Sequence, residues 1–285
     1  MSVNCNSQDA KGTGTIPCDL SSYGDVTGII PGNRNFSYTA LTEQLYRDAI
    51  KQGKIHPLIG IYNFEQNTPE NERSTSGIGI MADVRSGKPQ FSFQFTKGGC
   101  FHKSLYSLKG NDRWDLAIVF ESGLLVYKND TTTRGFRNSL FSVETFRLLQ
   151  GSDPQSSTAV IQLSSAEEFN KNHEFITWDE LGFNMNDING AIETTLTIGA
   201  NTATSIAVRV TGACKKDVSI SGLDDQAGWT VLNSDTVEEI PITSVTESAG
   251  GNYTIEGTGF PTTKITVILN AEDDLEEIYK GKASK

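Results

Sequence analysis

The chain has no run of 18 or more apolar residues, so no helical membrane span is expected from it. It also lacks a positive charge excess. A formal net charge of −11 excludes a binder that works by neutralising nucleic-acid phosphates. Histidine is scarce: His56, His102 and His173 stand far apart, and none has a catalytic partner at useful spacing. There is no HExxH, GxSxG, phosphate-binding glycine loop or CxxC, so no enzyme, no cofactor and no metal centre are expected. Gly77-Ile78-Gly79 is only a fragment of a dinucleotide fingerprint and falls inside an alternating segment. The four cysteines (Cys5, Cys18, Cys100, Cys214) lack zinc-ligand spacing and read as free thiols of a reducing cytosol. The opening Met1-Ser-Val-Asn-Cys has neither a basic nor an apolar leader character. The sequons at Asn35, Asn129 and Asn252 are accordingly taken as chance matches.

Carboxylates are plentiful but unpaired in pattern. Asp224-Asp225 and the run Glu272 to Glu277 read as solvated turns rather than a facing catalytic pair. Asn186 to Gly190 has calcium-loop residue types, yet Leu196 stands where an EF-hand needs its glutamate.

What the sequence does have is alternation. From 191 to 285, short apolar bursts recur: Ile206, Val208 and Val210; Val218 and Ile220; Trp229 and Val231; Tyr253 and Ile255; Ile265, Val267 and Leu269. A period of two puts each set on one face of a strand. Glycines separate the bursts at the rhythm of an immunoglobulin-like β-sandwich. This stretch carries seven Lys/Arg against fourteen Asp/Glu, a net of −7, which leaves −4 to the first 190 residues.

Upstream, residues 1–36 are rich in Gly, Ser, Asn and Thr and read as an extended arm. Residues 37–190 read as a β domain with one or two flanking helices. Leu41, Leu45, Tyr46, Ala49 and Ile50 predict a helix from Thr39 to Gln52, capped by Thr39 and ended by Gly53. Pro57–Phe64 reads as a strand and 67–76 as a polar loop. Ile78, Ile80 and Ala82, then Phe91, Phe93 and Phe95, predict a hairpin turning at Ser86-Gly87-Lys88. A short helix is expected over Cys100–Leu108. Strands are expected over Trp114–Phe120, Gly123–Tyr127, Phe141–Leu149 and Thr158–Leu163. Ser165 and Glu168 predict a capping box opening a helix at 166–172. The domain boundary is placed near Asn189-Gly190.

Four features together resemble the tail tube (major tail) proteins of tailed bacteriophages, particularly those infecting Bacteroidota. They are the Cys- and Gly-rich opening from Cys5 to Cys18, the hairpin Ile80–Phe95, the hydrophobic hairpin Trp114–Tyr127, and the appended C-terminal module. The resemblance implies a mainly β chain: a tail-tube-like sandwich or barrel plus an immunoglobulin-like sandwich. It implies a virion localisation and self-association into hexameric rings stacked with other virion proteins. DNA would pass through without specific binding, and no membrane would be involved. The segments 1–36 and 64–76 would bridge neighbouring rings, and the terminal module would decorate the exterior, touching host-surface glycans weakly. The concentration of acidic charge in that module suits an exterior better than a DNA-facing lumen. Other readings are a capsid decoration or connector-ring protein, or a carbohydrate-binding, adhesin-like module. On that last reading Trp229 and Tyr253 would be the glycan-contacting aromatics.

Overall fold

A computed structural model describes residues 23–75, 81–129, 131–149, 151, 154–248, 250–273 and 277–285; for 81–85 it describes the backbone. Expectations for residues 1–22 and 76–80, including Cys5, Cys18, Ile78 and Ile80, lie outside the described residues. The chain is mainly β and divides into two compact units. One comprises residues up to Tyr46 together with Lys54–Ile188; the other comprises Arg47–Gly53 and Asn189–Lys285.

In chain order the first unit holds β1 (Val26–Asn33), the start of α1 (Glu43–Lys51), β2 (Leu58–Ile59), β3 (Asn63–Gln66), β4 (Glu72–Thr75), β5 (Met81–Arg85) and β6 (Gln90–Phe95). There follow α2 (Gly99–Ser107), β7 (Trp114–Phe120), β8 (Gly123–Asn129), β9 (Thr132–Arg134) and β10 (Phe136–Val143). It ends with β11 (Ser157–Leu163), α3 (Ala166–Lys171), β12 (His173–Thr177) and α4 (Trp178–Leu181). The main pairing order is β12-β8-β7-β10-β11-β6-β3, with β1 running along the whole of β7. Phe91, Phe93 and Phe95 meet Leu116, Ile118, Phe136, Phe141 and Ile161 in the core of this unit.

Three expectations are corrected here. Residues 26–33 are not arm but strand: Ile29 and Ile30 are buried, and β1 registers Ile29 to Ile118 and Pro31 to Leu116. Gly28, one of the residues that made this stretch look loop-like, serves packing. A Cβ on Gly28 would sit 2.6 Å from Ile59 Cδ1 and 2.9 Å from Leu58 O. The predicted hairpin onto Phe91–Phe95 does not form. β5 turns back onto β4 (Thr75 opposite Met81), and β6 is taken on both edges by β3 and β11. Of the apolar residues that predicted α1, Leu41, Tyr46, Ala49 and Ile50 are buried but Leu45 is 54% exposed, Arg47 is buried, and the first turn is capped by Thr42 Oγ1 (Leu45 N, 3.3 Å) instead of by Thr39.

The second unit contains β13 (Ile192–Asn201), β14 (Ser205–Gly212), β15 (Trp229–Asn233), β16 (Glu239–Ile240), β17 (Ile242–Ser248), β18 (Asn252–Gly257), β19 (Ile265–Glu272) and β20 (Ile278–Ser284). They form two layers, β16-β15-β19-β20 and β13-β14-β18-β17. β13 joins them. Ile192 and Glu193 pair in parallel with β20, after which the strand pairs antiparallel with β14. Val208, Val210, Val231, Ile255, Val267 and Leu269 fill the shared core.

Candidate functional site

The residues first suspected of touching ligand are structural. Trp229 is 3% exposed and Tyr253 1%. Their rings lie 5.3 Å apart in the core. Trp229 Nε1 donates to Leu223 O (2.7 Å); Tyr253 Oη donates to Ile220 O (2.9 Å) and accepts from Leu223 N (3.3 Å). With both faces packed and their polar tips used, these aromatics cannot stack on a sugar, and the glycan-contact reading of them is corrected. The calcium-like turn is also spent internally. Asn186 Oδ1 accepts from Thr27 Oγ1 (2.6 Å), and Asn186 Nδ2 donates to Phe120 O (3.0 Å). Among the described residues no cluster of His, Cys, Asp and Glu could hold a metal. No helix of them is long and apolar enough to cross a membrane.

The cysteine expectation is overturned as well. Cys100 and Cys214 are disulfide-bonded, not free thiols. Scattered spacing concealed this, because disulfide partners meet through the fold rather than along the sequence.

One nucleophile–base contact escaped the sequence reading: His102 Nδ1 lies 3.1 Å from Ser157 Oγ. Ser157 is fully buried, so its hydroxyl has no route to a substrate. The contact anchors α2 to β11.

The most developed polar site is a cavity of about 570 Å³ in the first unit, between the turn joining β8 to β9, the loop after β1, and α3. Its floor is Arg134. The register sets Arg134 opposite Tyr127, and the guanidinium lies 4.1 Å from the Tyr127 ring centroid. Arg134 Nη2 donates to Glu168 Oε1 (2.8 Å), Nη1 donates to Gly135 O (2.7 Å), and Asp115 Oδ2 lies 4.0 Å from Nη1. Asp115 is itself 1% exposed; it accepts from Asn35 N (2.7 Å) and from Arg34 Nη1 (3.2 Å). These buried charges are tolerated because each is paired and hydrogen-bonded. Glu168 explains a half-right expectation. Ser165 caps α3 by accepting from Glu168 N, but the Glu168 carboxylate turns to Arg134 and to Arg137 N (3.3 Å) instead of closing the box. The complete capping box is Thr177 with Glu180 at α4, which lies in a stretch without apolar periodicity.

Gly135 makes the site possible. A Cβ there would fall 2.5 Å from Leu116 N and 2.6 Å from Asp115 C, so β9–β10 can press against the β7 backbone only with glycine at the crossing. Behind the network, Tyr38 and Tyr46 are buried, and neither hydroxyl has a hydrogen-bond partner among the described residues. Burial first, and then the Asp115 charge, push the Tyr38 hydroxyl far above the ordinary tyrosine range. Burial and then Tyr38 do the same to Tyr46. Both stay neutral.

Three features lie at strand edges. The β4–β5 hairpin pairs with no other strand among the described residues, and every residue of β4 is exposed. β3 and β12, at the two ends of the first sheet, each have one strand neighbour among the described residues.

No protein-family model matches this chain, and no curated protein matches it.

Proposed function

We propose that this chain is a self-assembling virion structural protein, a tail tube subunit whose copies stack as hexameric rings around the DNA path. The observation that carries the reading is the β4–β5 hairpin. A two-stranded ribbon alone is marginally stable in water, and this one has no strand of its own chain beside it among the described residues. Such a ribbon gains its missing neighbour from another copy. The open edges of β3 and β12 offer the lateral counterpart, strand addition between subunits.

Two further observations support the reading. The disulfide bonding of Cys100 and Cys214 suits a particle that meets oxidising surroundings, since disulfides persist on virion and cell surfaces and are rare in the cytosol. The layers β13-β14-β18-β17 and β16-β15-β19-β20 support reading the second unit as an immunoglobulin-like accessory.

The test is excision of Glu72–Arg85, whose ends face each other in the ladder, with two glycines rejoining Asn71 to Ser86. The expected result is a variant that melts like the parent but no longer forms rings or tubes in negative-stain images. Unchanged assemblies from the excised variant overturn the role given to the hairpin.

A further inference from the structure

We propose that the cavity beside α3 binds an acidic sugar. At about 570 Å³ it is far larger than a bare inorganic anion needs, and it falls in the range of about 300–1,000 Å³ typical of small-molecule sites. Its walls mix polar and apolar surface in similar parts, as the faces of a sugar do. Asn35, Ser37, Asn129 and Thr132 are among the side chains that line it. Hydroxyls and amides both donate and accept, which matches the hydroxyls of a sugar. A phosphate, with at most two P–OH donors beside its acceptor oxygens, would use less of that capacity than a sugar.

The charges point to a carboxylate. Arg134 is already engaged by Glu168 and Asp115 and stacked on Tyr127, so it forms the floor rather than a ligand clamp. Arg137 also lines the cavity. It is exposed, and its guanidinium has no carboxylate within ion-pair distance among the described residues. Its backbone is spent in the fold: N donates to Glu168 Oε2 (3.3 Å) and O accepts from Ser164 N (2.8 Å). A planar donor fork with nothing to hold, set at the edge of a hydroxyl-lined cavity, is built to receive a carboxylate bidentately. Because one face of the Tyr127 ring is covered by Arg134, recognition rests on polar groups and not on aromatic stacking. The site lies wholly within the first unit and does not depend on assembly.

The experiment is isothermal titration with glucuronate, galacturonate and N-acetylneuraminate, using glucose and inorganic phosphate for comparison. At least one acidic sugar should bind with a dissociation constant of about 1 mM or tighter, and about tenfold more tightly than glucose. Replacing Arg137 by Gln should remove that tenfold preference while leaving the melting temperature unchanged. Replacing Thr132, an exposed rim hydroxyl, by Val should weaken acidic and neutral sugars alike. The proposal is overturned if none of the three acids binds at ten times that concentration. It is equally overturned if phosphate binds as tightly as the best of them, or if R137Q keeps the preference.

Discussion

Gly135→Ala is the sharpest perturbation of the first unit. The added methyl would lie 2.5 Å from Leu116 N, 2.6 Å from Asp115 C and 2.8 Å from Leu116 C. All three are backbone atoms of β7, a strand held by β1 on one side and by β8 and β10 on the other. No flexible side chain can swing aside, so relief requires β9–β10 to lift off β7. That movement would draw Arg134 away from Asp115 and break the Phe136–Leu116 and Arg137–Asp115 pairs. Overpacking of this kind costs about 3 kcal/mol, the upper part of its usual range. For a unit of this size the cost corresponds to a fall in melting temperature of about 6–12 °C. Differential scanning calorimetry of the parent and G135A measures it. Gly99→Ala is the matched control: its nearest neighbour would be Phe146 Cε1 at 3.9 Å. In the first turn of α2 alanine is the better helix former, so G99A should melt no lower than the parent. If G135A also melts within about 1 °C of the parent, the close approach of β9–β10 to β7 is not what holds this unit together.

Three further outcomes follow from the second unit and the cysteines. Trp229→Ala should destabilise that unit by about 3–5 kcal/mol in urea, whereas Tyr253→Phe should cost about 1–2 kcal/mol through the lost Ile220 and Leu223 hydrogen bonds. Neither should change sugar binding. The Tyr253 hydroxyl is pushed up to about 12, chiefly by burial, from its ordinary value of 10.0. A folded-state value above the unfolded one makes the contribution to stability complete below pH 10 and lost as pH rises from 10 to about 12. Urea midpoints should therefore fall across that window, and phenolate absorbance near 295 nm from Tyr253 should lag behind that of exposed tyrosines. Alkylation of the denatured but unreduced protein, read by peptide mass spectrometry, should leave Cys100 and Cys214 unmodified. Reduction should then lower stability by about 2–5 kcal/mol.

Much of the fold was legible because alternation reports burial directly. Ile206, Val208 and Val210 sit on one face of β14 as their period demanded, and Phe91, Phe93 and Phe95 do the same on β6. The same rule already placed Trp229 beside Val231 and Tyr253 beside Ile255 on core faces, so treating those aromatics as exposed ran against the pattern they belonged to. Pairing was less legible than strand existence. β6 carried the right face, but which strands took its edges depended on β11, more than sixty residues further on. β1 was hidden because Gly28, Pro31 and Gly32 look like turn chemistry, whereas Gly28 is what lets the β1 backbone approach β2 closely. Val218 misled in the other direction: it is 45% exposed and lies outside any strand, since a two-residue burst is too short to define a face. The cavity could not have been read at all. Asp115, Arg134 and Glu168 come from three separate elements, and the only local signal, Ser165 with Glu168, pointed to a cap.

The central claim is that copies of this chain build a tube. Negative-stain imaging of the purified protein over a concentration series tests it most directly. The account predicts sixfold rings or tubes of uniform diameter that increase with concentration. A protein that stays monomeric at the highest concentration reached would contradict it.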